Sequence, residues 1–319
     1  MNSLEKVQNS GSDNLSLSKV NDLVNAFLSG RKQTTIKTYR QDLIHFSKYL
    51  GFLGNDQGIN QAANFLTAKN QQEANHLILN YRNFMVERGE AANTINGRLR
   101  TIRSIIKMGR MIGSVTFTIE IENVKSKAYR DTRGPGLFGF RNMKQVAASR
   151  EDKKGVRDVA ILRLLFDLAL RRGEVAALDI EDVDFKNSKI SVLGKGKTEK
   201  EFFTLPESTA KDLKSWVELR GDHPGALFTN LDRAKKGDGR LTGTALYYIV
   251  QRYGKDVDMT VRPHGIRHAA ITEALRLTNG NYQMTARFSR HANPRTLKYY
   301  DDNLEDLGGK VASMLAVAV

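Results

Sequence analysis

Apolar residues recur at steps of three and four along most of the chain, the period of an amphipathic helix, and glycines punctuate the runs. Leu23, Phe27 and Leu28 precede Gly30. Thr34 or Thr35 can cap a helix that carries Ile36, Tyr39, Leu43, Phe46 and Leu50 and stops near Gly51. A shorter run holds Ala62, Phe65 and Leu66. A longer one, from about Gln71, holds Leu77, Leu79, Phe84 and Met85 and stops at Gly89. The next helix, capped by Asn93 or Thr94, sets Ile95, Leu99, Ile102 and Ile106 in one stripe.

Between Gly113 and Gly139 the period changes. Thr116, Thr118 and the alternating isoleucines read as strand-like, and the stretch from Lys125 to Pro135 is polar and basic, which marks a domain boundary. Helices return near Phe140–Ala148 and from about Lys154 through Leu170. The span Asp184–Leu205 is rich in β-branched and aromatic residues about the turn Gly194-Lys195-Gly196, which predicts a small antiparallel sheet. Helical runs follow at Ser208–Arg220, at Thr242–Tyr253 and from His264, and Gly280 and Pro294 break what comes after. The expected fold is mainly α with a small antiparallel β-sheet. The expected organisation is a flexible tail over 1–18, a helical unit over 19–113, a linker over 114–139 and a second unit over 140–319. Two lobes joined in this way can close around a duplex as a clamp.

Composition narrows the partner. The chain has 319 residues, too many for one small core, and 50 Lys and Arg against 35 Asp and Glu give a formal charge of +15. Such an excess favours a polyanion, because each phosphate neutralised releases counterions. The charge is also patterned. Arg100, Arg103, Lys107 and Arg110 follow helical steps beside the apolar stripe of the fifth run, with Arg98 nearby, and no Asp or Glu occurs between Ala91 and Ile119. Solvated helix faces normally mix signs, so a one-signed face suits a phosphate backbone. Cysteine is absent, which excludes disulfides, thiol nucleophiles and thiolate metal sites. No run is long and apolar enough for a bilayer, and the Ser/Asn-rich start lacks a signal-peptide core, so a cytoplasmic protein is expected.

Two motifs fail on inspection. Gly196-Lys197-Thr198 would need a glycine at position 191 to cradle nucleotide phosphates, and Ser191 stands there. His264 and His268 have zinc-protease spacing, but Gly265 occupies the position of the required general-base glutamate, and no metal site is expected. What remains is a set of cationic residues. Arg171-Arg172-Gly173-Glu174 follows an apolar helix, Lys195 sits in the turn, His264-Gly265-Ile266-Arg267 opens a helix, and His291 precedes Tyr300 by nine positions. Metal-free transesterification at a phosphodiester needs fixed positive charge where the pentavalent phosphate gains negative charge. Arginine suits this because its planar fork holds two oxygens and keeps its proton. A tyrosine phenol can be the nucleophile, and Lys or His can protonate the departing oxygen.

In order and spacing, Arg171-x-x-Glu174, the turn lysine Lys195, His264-x-x-Arg267 with His268, then His291 and Tyr300 resemble the signature of the tyrosine site-specific recombinases, a family that includes phage integrases. The resemblance covers about residues 140–305. Thr34–Leu43 and Asn93–Lys107 also resemble, less specifically, that family's helical core-binding domain. The resemblance implies that Tyr300 attacks the scissile phosphate to give a 3′-phosphotyrosine and a free 5′-hydroxyl. Arg171 and Arg267 would clamp the non-bridging oxygens, and Lys195 would protonate the leaving oxygen. His264 would assist proton transfer from the tyrosine, His291 would hydrogen-bond the phosphate, and Glu174 and His268 would support the others. Neither metal nor ATP would be needed. The implied partner is double-stranded DNA with an inverted-repeat site, held by a homotetramer.

Arg172 neighbours Arg171, but only Arg171 has both the glutamate three positions on and the lysine at the family's distance; Tyr299 neighbours Tyr300, and the spacing from His291 prefers Tyr300. The chain departs from the family at Arg290, where glycine is usual before the histidine. After Gly308-Gly309, the residues Val311, Met314, Leu315 and Val317 form a short apolar helix, a segment that in the family packs into a neighbouring protomer. With a first helix starting near residue 19, the simple two-domain type without an arm-binding domain is expected. A type IB topoisomerase shares the chemistry but relaxes supercoils as a monomer, and a catalytically silent DNA-binding module is the other alternative.

Overall fold

The helical runs expected from apolar spacing are present in both halves of the chain, and the expected sheet falls among those of the second half. A computed structural model describes residues 23–125, 134–194, 196–231, 239–291, 293–300 and 307–318. The chain divides into two units, 1–129 and 130–319.

The first unit holds α1 (23–28), α2 (Gln33–Tyr49), α3 (Asp56–Thr67), α4 (Gln71–Glu87) and α5 (Ala92–Met111). Its core gathers Phe27, Leu43, Phe46, Ile59, Leu66 and Ile78 with the whole α5 stripe of Ile95, Leu99, Ile102 and Ile106. Gly51 and Gly89 take φ of +83° and +70° beyond the ends of α2 and α4, where a side chain would be strained, so both breakers act as read. Two details differ. Neither threonine caps α2 and neither Asn93 nor Thr94 caps α5: the caps are Lys32 and Ala91, with no side-chain hydrogen bond. On α4 the buried residues are Ala74, Ile78, Tyr81 and Met85. Of the expected stripe, Met85 is buried and Leu77 and Phe84 pack partly buried against the core, and Tyr81 turns inward to the His45 ring nitrogen Nδ1 at 2.7 Å.

The expected linker is partly core. After Gly113 the chain has no regular secondary structure up to residue 125, and its alternation buries Val115, Phe117 and Ile119 in the first unit's core. It forms no strand among the described residues, because its polar groups go to helix side chains. Asn75 accepts from the Glu120 amide, and Asn96 both accepts from and donates to Val124, each at 2.9 Å. The polar stretch that follows lies largely outside the described residues, as does the expected tail over 1–18.

The second unit holds α6 (Gly136–Ala148), α7 (Lys153–Asp167), the short α8 (Arg172–Ala177), β1 (Val183–Asp184), β2 (Lys189–Leu193), β3 (Lys200–Thr204), α9 (Glu207–Arg220), α10 (Gly243–Lys255), α11 (Pro263–Leu277), α12 (Tyr282–Ser289), a 3₁₀ turn (Pro294–Tyr299) and α13 (Leu307–Val317). The strands are antiparallel in the order β1-β2-β3, with Ile190 opposite Phe203. Helix α7 is buried nearly all round, as its run of Val159, Ala160, Ile161, Leu162, Leu164 and Leu165 requires, and it packs on α6, α9 and α11. Trp216 fills the same core and donates its indole N–H to the Leu227 carbonyl at 2.8 Å. Helix α13 is the exception: Val311, Met314, Leu315 and Val317 are all exposed. No described helix is long and apolar enough to cross a membrane.

Candidate active site

Several element ends converge around Arg171. Helix α7 stops at Asp167, and Ala169 takes φ of +45°, which turns the chain sharply into Arg171, the residue before α8. Glu174 closes the start of that helix, its Oε2 accepting the Arg171 backbone N–H at 2.8 Å in the manner of a capping box. Its Oε1 accepts from the Arg171 guanidinium, also at 2.8 Å. The sequence pair Arg-x-x-Glu is thus one cap that also aims one arginine. Arg172 has no bond to Glu174; it is exposed, lies over the Tyr247 ring and lines the same hollow as Arg171.

Arg267 sits in the second turn of α11 and is only 2 % exposed. It donates to the carbonyls of Ala169 and Ser289, two helix-end acceptors that α-helical bonding leaves free. Burial, then the charges of Arg171 and Arg290, pull its pKa down to about 10, so it remains a cation at neutral pH. His264, two positions inside the same helix, is exposed. Partial desolvation holds its pKa below the ordinary imidazole value, followed by the charges of Arg267, His268 and Arg171. Arg171, His264 and Arg267 line one hollow of about 340 Å³. Arg171 also lines a larger cleft of about 740 Å³ with Arg290, His291, Arg287, Gly194 and Lys197.

Tyr300 follows the 3₁₀ turn and is buried to 8 % exposure. The His268 ring lies 4.7 Å from its ring, the His291 ring 5.4 Å away, and Thr272 donates to its carbonyl at 3.0 Å. The phenol oxygen is 3.5 Å from His291 Nε2, the outer edge of hydrogen-bond range. Ser289 Oγ lies 2.6 Å from the Thr285 carbonyl and 2.7 Å from His291 Nδ1. With its proton donated to the carbonyl, the hydroxyl accepts from Nδ1–H, and in that tautomer Nε2 carries a lone pair facing the tyrosine. Burial, then Arg267 and Arg171, lowers the pKa of His291 to about 4, which keeps the ring neutral.

Arg171, Glu174, His264, Arg267, His268, His291 and Tyr300 thus come together. The geometry alters the expected division between the histidines: His291 is at the tyrosine hydroxyl, and His264 is on the arginine side. Lys195 and the side chain of Tyr299 lie outside the described residues; Gly194 and Lys197 border the larger cleft. Sequence reasoning missed the supporting parts, Ser289 and the Ala169 carbonyl. Neither has a motif; only the break after the α7 apolar run hints at the turn that aims that carbonyl.

The basic face of α5 is divided. Arg100, Lys107 and Arg110 are exposed. Arg98 pairs with Glu90, and Arg103 donates to the Ile121 carbonyl and, at 3.0 Å, to Asn123 Oδ1, so these two are spent on the first unit's own fold.

The chain matches the model of the phage integrase family over residues 141–306. A tyrosine recombinase of Synechocystis sp. is 34 % identical over 309 residues, spanning 95 % of this chain and 97 % of the relative. One of Synechococcus elongatus is 35 % identical over 295 residues, 90 % of each chain. Among solved structures, the XerH site-specific recombinase bound to a palindromic difH substrate, a post-cleavage complex, aligns with a TM-score of 0.66 at 17 % identity, over 89 % of this chain and 80 % of that one. A lambda integrase dimer bound to a COC′ core site aligns at 0.65 and 14 % identity, over 92 % and 96 %. The two structures share the fold, and the two sequence relatives carry the kinship: the chain belongs to the phage integrase family of tyrosine recombinases.

Proposed function

We propose that the chain cleaves and rejoins DNA at a specific site through a 3′-phosphotyrosine on Tyr300, with neither metal nor ATP. The observation that carries this reading is the Tyr300 hydroxyl 3.5 Å from His291 Nε2, in a site whose arginines are held by Glu174 and helix-end carbonyls. Tyr300 gives its proton to His291, its oxygen attacks the scissile phosphorus, and the bond from phosphorus to the 5′ oxygen breaks. Lys195 supplies the proton that the 5′ oxygen takes. Arg171 and Arg267 hold the non-bridging oxygens, with His264 beside them, and stabilise the charge of the pentavalent state. The bond energy is kept in the ester, so the reverse attack by a 5′-hydroxyl rejoins the strand.

The DNA partner is supported by the related folds bound to DNA and by the net charge of +15. Arg100, Lys107 and Arg110 supply phosphate contacts from the first unit. The exposed apolar α13 supports assembly, since a helix bearing Val311, Met314, Leu315 and Val317 at its surface gains by entering a neighbouring protomer. Four protomers on an inverted-repeat site is the expected assembly. The test is a nicked suicide DNA substrate in EDTA. The chain is expected to become covalently attached to DNA, and Tyr300→Phe to abolish the adduct. An adduct that persists in Tyr300→Phe, or cleavage only with Mg²⁺, overturns the reading.

A further inference from the structure

Arg290 follows the last residue of α12 with φ of +57°, in the left-handed region that glycine enters freely and a larger side chain enters under strain. Its side chain is 10 % exposed, and its Nε and Nη1 have no hydrogen-bond partner. Its charge is disfavoured first by burial. The Phe203 ring, 5.0 Å from Cζ, is partial compensation. Strain, burial and two idle donors all weigh against an arginine here, so packing alone does not account for it.

What Arg290 does touch is the support of both phosphate-facing arginines. Its Nη2 donates to Glu174 Oε2 at 2.9 Å and to the Ala169 carbonyl at 3.0 Å. Glu174 Oε1 is the acceptor for Arg171, and the Ala169 carbonyl is the acceptor for Arg267. Glu174 is 4 % exposed, so its negative charge is screened by its neighbours and not by water. Without Arg290, that carboxylate would be neutralised by Arg171 alone, and the charge of Arg171 would be withdrawn from the phosphate. Glu201, across the same cleft, is paired with Lys197 at 3.2 Å and adds no net charge.

We propose that Arg290 is a positioning residue that serves as the standing counter-charge of Glu174, which leaves the charge of Arg171 available to the scissile phosphate. With Arg171, Arg267 and Arg290 against Glu174 the cluster carries three positive charges and one negative, a net of two. Removing Arg290 leaves a net of one. Removing Arg290 and the Glu174 charge together restores two.

The inference rests on the cleavage reading above, and the experiment separates them. Single-turnover cleavage of the nicked substrate is measured for Arg290→Gln, Arg290→Lys, Glu174→Gln and Glu174→Gln/Arg290→Gln, with thermal unfolding of each and titration of the cleft with inorganic orthophosphate. Gln at 174 can still cap α8. Arg290→Gln is expected to slow cleavage about tenfold while its thermal midpoint stays above the assay temperature, and the double variant to recover most of that loss; a purely structural role would instead make the loss of rate follow the loss of thermal stability. Arg290→Lys retains more activity than Arg290→Gln. Orthophosphate affinity follows the same order. A double variant no faster than Arg290→Gln overturns the proposal, as does an Arg290→Gln that cleaves at the parent rate. Should Arg290→Gln alone fail to fold, folding of the double variant supports the charge pairing, and its failure overturns it. If the parent forms no adduct, the cleavage reading fails by itself, and orthophosphate binding across the four variants still decides the role of Arg290.

Discussion

On α5, Arg100, Lys107 and Arg110 stand free in solvent, whereas in the second unit Arg171, Arg267 and Arg290 are anchored to helix-end carbonyls and one carboxylate. The residue type is nearly the same and the physics is not. An exposed cation meets phosphate through a few ångströms of screened water, so it contributes affinity that salt erodes. A buried, pre-aimed cation needs no reorganisation when charge develops, so it contributes rate. Arg98 and Arg103 show a third fate, in which an arginine on a basic face is consumed by its own fold.

The largest expected effect breaks the site side of this comparison. Arg267→Ala removes the donor shared by the Ala169 and Ser289 carbonyls and, in the proposed reaction, a charge on the scissile phosphate. Cleavage at saturating DNA should fall by about 10²–10³-fold, the range for losing one pre-organised donor at a developing oxyanion. DNA affinity should change little. A variant that loses affinity and rate in proportion would place Arg267 among the ordinary phosphate contacts.

The next effect tests the surface side. Replacing Arg100, Lys107 and Arg110 together by alanine should weaken DNA binding at every sequence and flatten its salt dependence, by about 0.9 in log–log slope for each phosphate no longer neutralised. Cleavage at saturating DNA should stay near the parent rate. The matching control is Arg103→Ala, whose partners are Ile121 and Asn123; it should lower the thermal midpoint more than the salt slope. A salt slope unmoved by the triple replacement removes α5 from the DNA interface.

The same contrast explains what the sequence could and could not tell. The α5 stripe was legible because burial of Ile95, Leu99, Ile102 and Ile106 depends on helical period alone. That Arg171, His264, Arg267, His291 and Tyr300 gather in one region was legible because they keep an ordered spacing, although their contacts are distant in sequence. Three features were not legible. Alternation at Val115, Phe117 and Ile119 says which side chains are buried, but not that Asn75 and Asn96 would take the place of a neighbouring strand. Charge spacing cannot separate Arg98 and Arg103 from Arg100, since their partners Glu90, Ile121 and Asn123 come from other elements. The support of Arg267 is backbone carbonyl, a group every residue has, so no residue letter announces it.

The smallest effect concerns His291, the neutral member of an otherwise cationic cluster. Its pKa lies near 4 in the folded chain against an ordinary 6.5, so between these values the unfolded chain binds more protons. Stability from this group is therefore full above about pH 6.5 and is lost as pH falls towards 4. Cleavage should show no inflection at the ordinary imidazole value and should decline only near pH 4, where Nε2 gains a proton and can no longer accept from Tyr300. Ser289→Ala sharpens the point. Without its acceptor the Nδ1–H tautomer is no longer enforced, and the ring spends part of its time with Nε2 protonated. A loss of roughly three- to tenfold in cleavage at neutral pH is expected, a modest share of what proton acceptors of this kind contribute. Nitrogen NMR of the ring decides the matter directly. A parent ring protonated on Nε2 at neutral pH would contradict the acceptor role, and with it the reading in which the arginines set the charge and the histidine takes the proton.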